Sequence, residues 1–409
     1  MTPGMPSGKK PFRSLALLLL ALLIAALPLA AASAQDEAVI PEITTRTFAV
    51  ADNEGMRFVA SLRLGLNLGN CFDAIDCTWL SDEMAYESAW CGAKVTPELI
   101  DAIRDAGFST IRIPVSWHNH LSDPETWTIS EPWLARVQEV VDLCLARGLY
   151  VIINIHHDNN TSFLYPSTPC LEQSIGYVTA IWRQLSERFA AYDERLIFES
   201  CNEPRLVGHP CEWSLNAGNP DCQDAVACIN QINQAFVDTV RAGEGCNPTR
   251  YLLCPGYDAS AEGALNSGFV LPTDPVQEND HRIILSVHAY TPYSFALDAG
   301  GTASWSSANT GDRNNMTGFM DQLFLRFTKL GQPVLISEFG ARDKSGNIDA
   351  RTDFAACYVA EARARGITCI WWDNNAFTGN GELFGLINRK TCETVYPSIL
   401  QAMTRYAGN

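Results

Sequence analysis

The chain has 409 residues, 47% of them hydrophobic and 18% charged, with a formal charge of −17, a composition that excludes a disordered or low-complexity protein and supplies a large core. The acidic balance excludes nucleic acid and anionic membrane surfaces as partners, because phosphate binding needs clustered Lys and Arg. Length alone does not count domains, since α/β barrels run past roughly 200 residues as one unit.

At the N-terminus, Lys9, Lys10 and Arg13 precede a nearly all-apolar run from Leu15 to Leu29, and Ala32 and Ala34 offer small residues before an acidic stretch. The pattern predicts a secretory signal peptide over residues 1–34, cleaved after Ala34, rather than a retained anchor. No other stretch is long and apolar enough to span a bilayer. The mature chain, residues 35–409, is therefore expected to be secreted (extracellular or periplasmic), off the membrane and monomeric. All 14 cysteines follow the leader, an even number that suits an oxidising compartment and leaves disulfides open. Cys71 with Cys77, Cys222 with Cys228 and Cys246 with Cys254 are close enough in sequence to staple loops, although spacing does not settle connectivity. Zinc is the weaker reading, because no C-x-x-C pair occurs.

Beyond the leader a local pattern recurs: an amphipathic helix, a Gly able to take the left-handed C-terminal cap, then a β-branched strand. The copies are "LIDAIRDAGFSTIRIPV", "VVDLCLARGLYVIINIHH", "FLRFTKLGQPVLISEF" and "VAEARARGITCIWWDN". Strands are predicted at Leu64–Leu68, Thr110–Val115, Tyr150–Ile155, Leu196–Ser200, Tyr251–Cys254, Ile283–Val287, Val334–Ser337 and Thr368–Trp371. Thr96 before Pro97 and Ser130 before Glu131 and Pro132 mark helix starts with a capping side chain. Apolar strands alternating with helices predict a parallel sheet covered on both faces. The expected α/β fold is a (β/α)8 TIM barrel forming a single catalytic domain. A doubly wound open sheet is the alternative, but the G-x-G-x-x-G turn that would support it follows none of the strands. Residues 35–61 are expected to pack under or beside the barrel. The long connections 71–95, 158–172, 205–221 and 290–313 follow strands and would build the active face.

The predicted strands end in polar or aromatic residues: Asn67 and Asn70, Arg112 and Trp117, His156 and His157, Asn202 and Glu203, His288 and Tyr290, Glu338, and Trp371 with Trp372. Such endings converging on one barrel mouth predict a site. Glu203 and Glu338 close apolar strands with nothing basic beside them. Two carboxyl groups facing each other are what glycosidic cleavage requires, one protonated to assist the leaving oxygen and one ionised to attack. "HHD" invites a metal, but adjacent strand residues point to opposite faces, so His156 and His157 are not expected to share an ion. No metal and no cofactor are expected. A serine hydrolase lacks its G-x-S-x-G elbow here.

"NLGNCFDA", "IRIPVSWHNH", "INIHHDN", "FESCNEPR", "SVHAYTPYSFA", "LISEFGA" and "IWWDN", in this order over roughly residues 65–403, together resemble the retaining endo-β-1,4-glucanases of glycoside hydrolase family 5. "VHAYTPYSFA" and "LINRKTCETVYPSILQAM" resemble subfamily 4. The resemblance implies Glu203 as acid/base, Glu338 as nucleophile, His288 near the Glu203 proton, and Trp372 as the platform under the cleaved sugar, with Trp371 in the core. It implies sugar contacts from Asn202, His156 and His157. Arg112 and Tyr290 can donate to Glu338 and favour its ionised form, whereas Glu203 needs a raised pKa. Asn70, Trp117, Trp213 and Trp305 are candidates for flanking subsites. Cys201, beside Asn202, has no assigned role. The expected partner is a β-glucan, with xyloglucan, mixed-linkage glucan, xylan or mannan as alternatives. A non-catalytic carbohydrate-binding barrel would lack one of the two carboxylates, and both are present.

Overall fold

The computed structural model describes residues 38–274 and 281–408; the signal peptide expected over residues 1–34 and the start of the catalytic domain at residue 35 lie outside them. Eight strands form a closed barrel: β1 (Leu64–Leu68), β2 (Thr110–Ile113), β3 (Tyr150–Asn154), β4 (Leu196–Glu199), β5 (Leu252–Ser260), β6 (Ile283–His288), β7 (Val334–Phe339) and β8 (Ile367–Asp373). Each pairs in parallel with its neighbours in the chain, and β1 closes the barrel against β8. Helix α1 (Glu54–Ser61) precedes β1. The crossovers are α2 (Pro97–Asp105), α3 (Glu131–Leu145), α4 (Leu171–Arg188), α5 (Pro220–Arg241) and the short α6 (Ala261–Leu265). A single turn, α7 (Tyr293–Ala296), then precedes α8 (Thr310–Arg326), α9 (Ile348–Ala364) and α10 (Pro397–Ala407).

The four glycines of the recurring pattern have the left-handed backbone expected of them, with φ of 98° at Gly107, 77° at Gly148, 90° at Gly331 and 73° at Gly366. Thr96 caps α2 by accepting from the Leu99 amide. Ser130 occupies the cap position of α3 without capping it. Its hydroxyl donates instead to Glu83 Oε2 at 2.8 Å, and the fixed φ of Pro132 helps to start the helix. Strand β5 runs past its expected end at Cys254, with a register break between Pro255 and Ser260, where Asp258 and Ala259 have φ of 56° and 45°.

Because side chains alternate along a strand, the barrel interior is built in layers. Ile152, Ile197, Leu253, Ile284, Leu335 and Ile370 form an apolar lower layer, sealed from below by Phe58, Val59 and Leu62 at the end of α1. The segment before β1 thus packs under the barrel, as expected for its α1 part. Gly65 belongs at this level, since a Cβ there would come within 2.9 Å of the Ile370 side chain. Two residues further along the strands, the same inward positions carry Asn67, Arg112, Asn154, Glu199, Ser286 and Ser337, all buried. The barrel is therefore apolar at its base and polar at its C-terminal mouth. The four long connections predicted from sequence follow strands as expected. A fifth, residues 374–396 after β8, was not among them, and it carries Arg389 and Glu382.

Candidate active site

Arg112 organises the polar layer. Fully buried, it donates through Nε to Glu199 Oε2 at 2.7 Å, through Nη1 to Asn67 Oδ1 at 2.9 Å and Glu338 Oε1 at 2.6 Å, and through Nη2 to Asn202 Oδ1 at 2.7 Å. Glu199 was missed in the sequence. It takes further bonds from Ser286 Oγ at 2.6 Å and Asn154 Nδ2 at 3.1 Å. Its signal was available: a carboxylate inside "LIFES" cannot be buried without a cation, and Arg112 sits in a strand of the same type.

Glu203 and Glu338 meet at the mouth as the sequence predicts. One oxygen of each, together with a ring nitrogen of His288, lies within 4.8 Å of the others. Strand β6 supplies the bridge between them: His288 Nδ1 lies 2.8 Å from Glu203 Oε1 and 3.6 Å from Glu338 Oε2. Tyr290 donates to Glu338 Oε2 at 3.0 Å. Arg205, two residues after Glu203, reaches Glu203 Oε2 at 3.4 Å.

The charge distribution differs from the sequence expectation. Burial would raise Glu203, yet the bond from His288 and its charge outweigh burial and pull the carboxyl down to about 2. Glu338 is raised, because burial outweighs the nearby His288 and Arg112. Burial alone would lower His288, but the two carboxylates lift it above its ordinary value. The hydrogen bond between His288 and Glu203 thus favours the charged forms of both groups.

The walls of the cleft sort the remaining candidates. Trp372 lies parallel to the His156 ring, at 0° and 5.9 Å between centroids. Gly69 makes room for it, since a Cβ there would stand 2.7 Å from the indole. Trp371 is fully buried and donates to Phe384 O at 3.0 Å, a core role as expected. Trp117 is corrected: it is wholly buried with its indole N–H on Asn154 O at 2.9 Å, so it offers no face to a ligand. Trp305 packs against Phe295 and Phe354. Trp213 is 63% exposed, with the Arg205 guanidinium 3.8 Å from its ring centroid. Asn70 sits on the turn after β1 with φ 63° and its amide on Asp73 Oδ2 at 2.9 Å. Trp90, absent from the predicted set, is 40% exposed and its ring lies 5.8 Å from that of His157; an aromatic inside a cysteine-flanked loop carries no strand-end signal.

His156 and His157 correct a second expectation. Strand β3 stops at Asn154, so the alternation rule no longer governs them. Their rings lie 4.4 Å apart, and with Asp73 they bring three possible ligand atoms within 4.8 Å of one another. The three suggested cysteine pairs also differ from the arrangement found. All fourteen cysteines are thiols here. Cys71 faces Cys91, with Sγ atoms 3.5 Å apart, while the Cys77 thiol is directed to Ile75 O. Cys222 lies near Cys211, and Cys254 lies near Cys201. Cys201 is a small buried residue beneath the Glu203 loop, its thiol pushed up to about 12 by burial.

Comparison with known proteins is consistent with this geometry. The family model described as Cellulase (glycosyl hydrolase family 5) matches residues 75–378. The chain is 38% identical over 358 residues to Cellulase/esterase CelE of Acetivibrio thermocellus, covering 87% of this chain but only 41% of that longer protein. Among solved structures it is similar to a family 5 lichenase from a Caldicellulosiruptor species, at 51% identity and TM-score 0.89, covering 91% of this chain and 100% of the other. It is also similar to a GH5-4 broad specificity endoglucanase from Ruminococcus champanellensis with bound cellotriose, at 39% identity and TM-score 0.79, covering 87% and 100% respectively.

Proposed function

We propose, from the premise that the chain belongs to glycoside hydrolase family 5, that it hydrolyses internal β-1,4 bonds of cellulose-type glucans with retention, using Glu338 as nucleophile and Glu203 as acid/base. The observation that carries the mechanism is the short carboxylate separation: one oxygen of each lies within 4.8 Å of the other. An inverting pair stands about 6.5–9.5 Å apart to admit water between carboxylate and sugar.

In the first displacement Glu338, held by Arg112 and Tyr290, attacks the anomeric carbon while Glu203 protonates the leaving oxygen. The proton comes from His288 across the 2.8 Å bond to Glu203 Oε1, which leaves a neutral acid beside a neutral imidazole as the substrate excludes water. Once Glu338 is esterified its negative charge is gone, Glu203 favours its ionised form, and it takes a proton from the incoming water. Asn202 would contact the sugar 2-hydroxyl, His156 and His157 would hold neighbouring hydroxyls, and Trp372 would underlie the cleaved ring. The chemistry uses side chains alone, without metal or cofactor. We further propose that the mature chain acts as a monomer outside the cytoplasm, in the periplasm or beyond it.

The proton assignment predicts a pH profile. Burial would lower His288, but the two carboxylates raise it above its ordinary value, so its proton is held to higher pH than on an ordinary imidazole and lost as pH rises through the raised value. The alkaline limb of kcat/KM should therefore lie above pH about 6.5. In His288→Gln that limb should move towards acid by about one unit or more, with a larger loss at pH 7 than at pH 5. An unmoved limb would assign the proton elsewhere.

Substrate choice is tested by the product pattern of residues 35–409 on carboxymethylcellulose, mixed-linkage glucan, xyloglucan, xylan and mannan, beside Glu203→Gln. A rapid fall in carboxymethylcellulose viscosity, absent in the variant, is expected. The likeness to a lichenase at 51% identity favours a second reading, mixed-linkage glucan as the preferred polymer. That outcome would keep the two glutamates and move specificity into loops bearing Trp90 and Trp213.

A further inference from the structure

We propose that Cys71 and Cys91 form a disulfide that staples the loop after β1 to the barrel mouth and fixes Trp90 at the edge of the cleft. The two Sγ atoms face each other at 3.5 Å across twenty residues of chain, and both residues are buried. Their surroundings are already rigid. Arg389 Nη1 donates to Cys71 Sγ at 2.9 Å and to Gly69 O at 2.6 Å, its Nη2 donates to Asp373 O at 2.6 Å, and Asn375 Nδ2 holds Cys91 O at 2.8 Å. Bonding requires the sulfurs to close from 3.5 Å to about 2.05 Å. The spanned loop contains Asp73, whose Oδ2 lies 4.0 Å from His157 Nε2, and ends one residue after Trp90, so a cross-link here fixes one wall of the cleft.

The pair is also chemically prepared. The Cys91 thiol is brought down to about 6 by the bond from Cys71, against the effect of burial and with help from the Arg389 charge; thiolate is the attacking form. The oxidant is a low-molecular-weight disulfide such as oxidised glutathione. The Cys91 thiolate attacks one of its sulfurs and expels one thiolate. Cys71, giving up its proton, then attacks Cys91 Sγ and expels the second. Two protein thiols are oxidised by two electrons, and one small disulfide is reduced to two small thiols.

The test is peptide mapping of residues 35–409 equilibrated with oxidised glutathione, alkylated without prior reduction and digested. A peptide pair linking Cys71 to Cys91 is expected, with a melting temperature about 5 °C above that of the reduced protein. In the same oxidising buffer Cys91→Ser should melt near the reduced wild type. Both cysteines recovered alkylated, or Cys71 linked to Cys77, would overturn the proposal; the wild-type map decides this even if the variant does not fold. The effect on binding rests on the glucanase reading and is measured separately. Reduction should raise KM for glucan more than it lowers kcat, and an unchanged KM would overturn the anchoring of Trp90 whatever the map shows.

Discussion

Glu338→Ala is expected to lower kcat on soluble β-glucan by at least about 10⁴-fold, with azide restoring part of the activity and yielding a glycosyl azide of inverted configuration. The expectation follows from position. Glu338 is the carboxylate that Arg112 and Tyr290 hold from two sides, at 2.6 and 3.0 Å. Alanine removes the attacking oxygens and leaves a small space beside the anomeric carbon, where an external anion can attack from the same face. The acid step remains intact, because Glu203 keeps its bond to His288. Rate recovery with azide, followed by NMR of the product anomer, checks the assignment. A failure to recover, with the variant folded and still binding cellotetraose, would remove Glu338 from the nucleophile role.

Arg112→Leu should be the most damaging change to stability, at about 3–5 kcal/mol. Arg112 neutralises Glu199 and Glu338 and also bonds Asn67 and Asn202. Without it Glu199, which has no exposed surface, would remain in the barrel as an unpaired buried charge. The sign with pH follows. Glu338 is already raised by burial, and Arg112 is one of the groups that lower it; in the variant its folded pKa stands further above the unfolded one, so stability is best at acid pH and falls as pH rises from the unfolded to the folded value. Denaturant titrations at pH 4.5 and 7 should show a larger loss at pH 7. Adding Glu199→Gln should recover part of the loss, which separates the stranded charge from a simple packing defect.

Much of this arrangement is legible in the linear chain because barrels obey local rules. Helix, left-handed Gly and β-branched strand recur at Gly107, Gly148, Gly331 and Gly366, and strand ends with abrupt polar residues marked Glu203, Glu338, His288 and Tyr290. Less legible were contacts that no local rule governs. Trp117 stood as a candidate for a flanking subsite because its segment lies beside the active face, yet loops over a barrel also need cores of their own. Glu199 looked like part of a strand, and its meaning emerged only when Arg112 closed on it from two strands away. The histidine pair was misread because the alternation rule was applied beyond the last residue of the strand.

What the sequence by itself determined is the alternation of elements, the barrel, the family resemblance and the placing of Glu203 and Glu338 at one mouth, since these depend on periodicity and on residues at fixed places along strands. Only the tertiary structure decided which cation holds which carboxylate, that His288 bridges the two glutamates, and which cysteines face each other. Those properties depend on distances between residues far apart in the chain. An electrostatic interaction or a thiol pair has no periodicity, and its strength is set by separation and burial, which exist only once the barrel has closed.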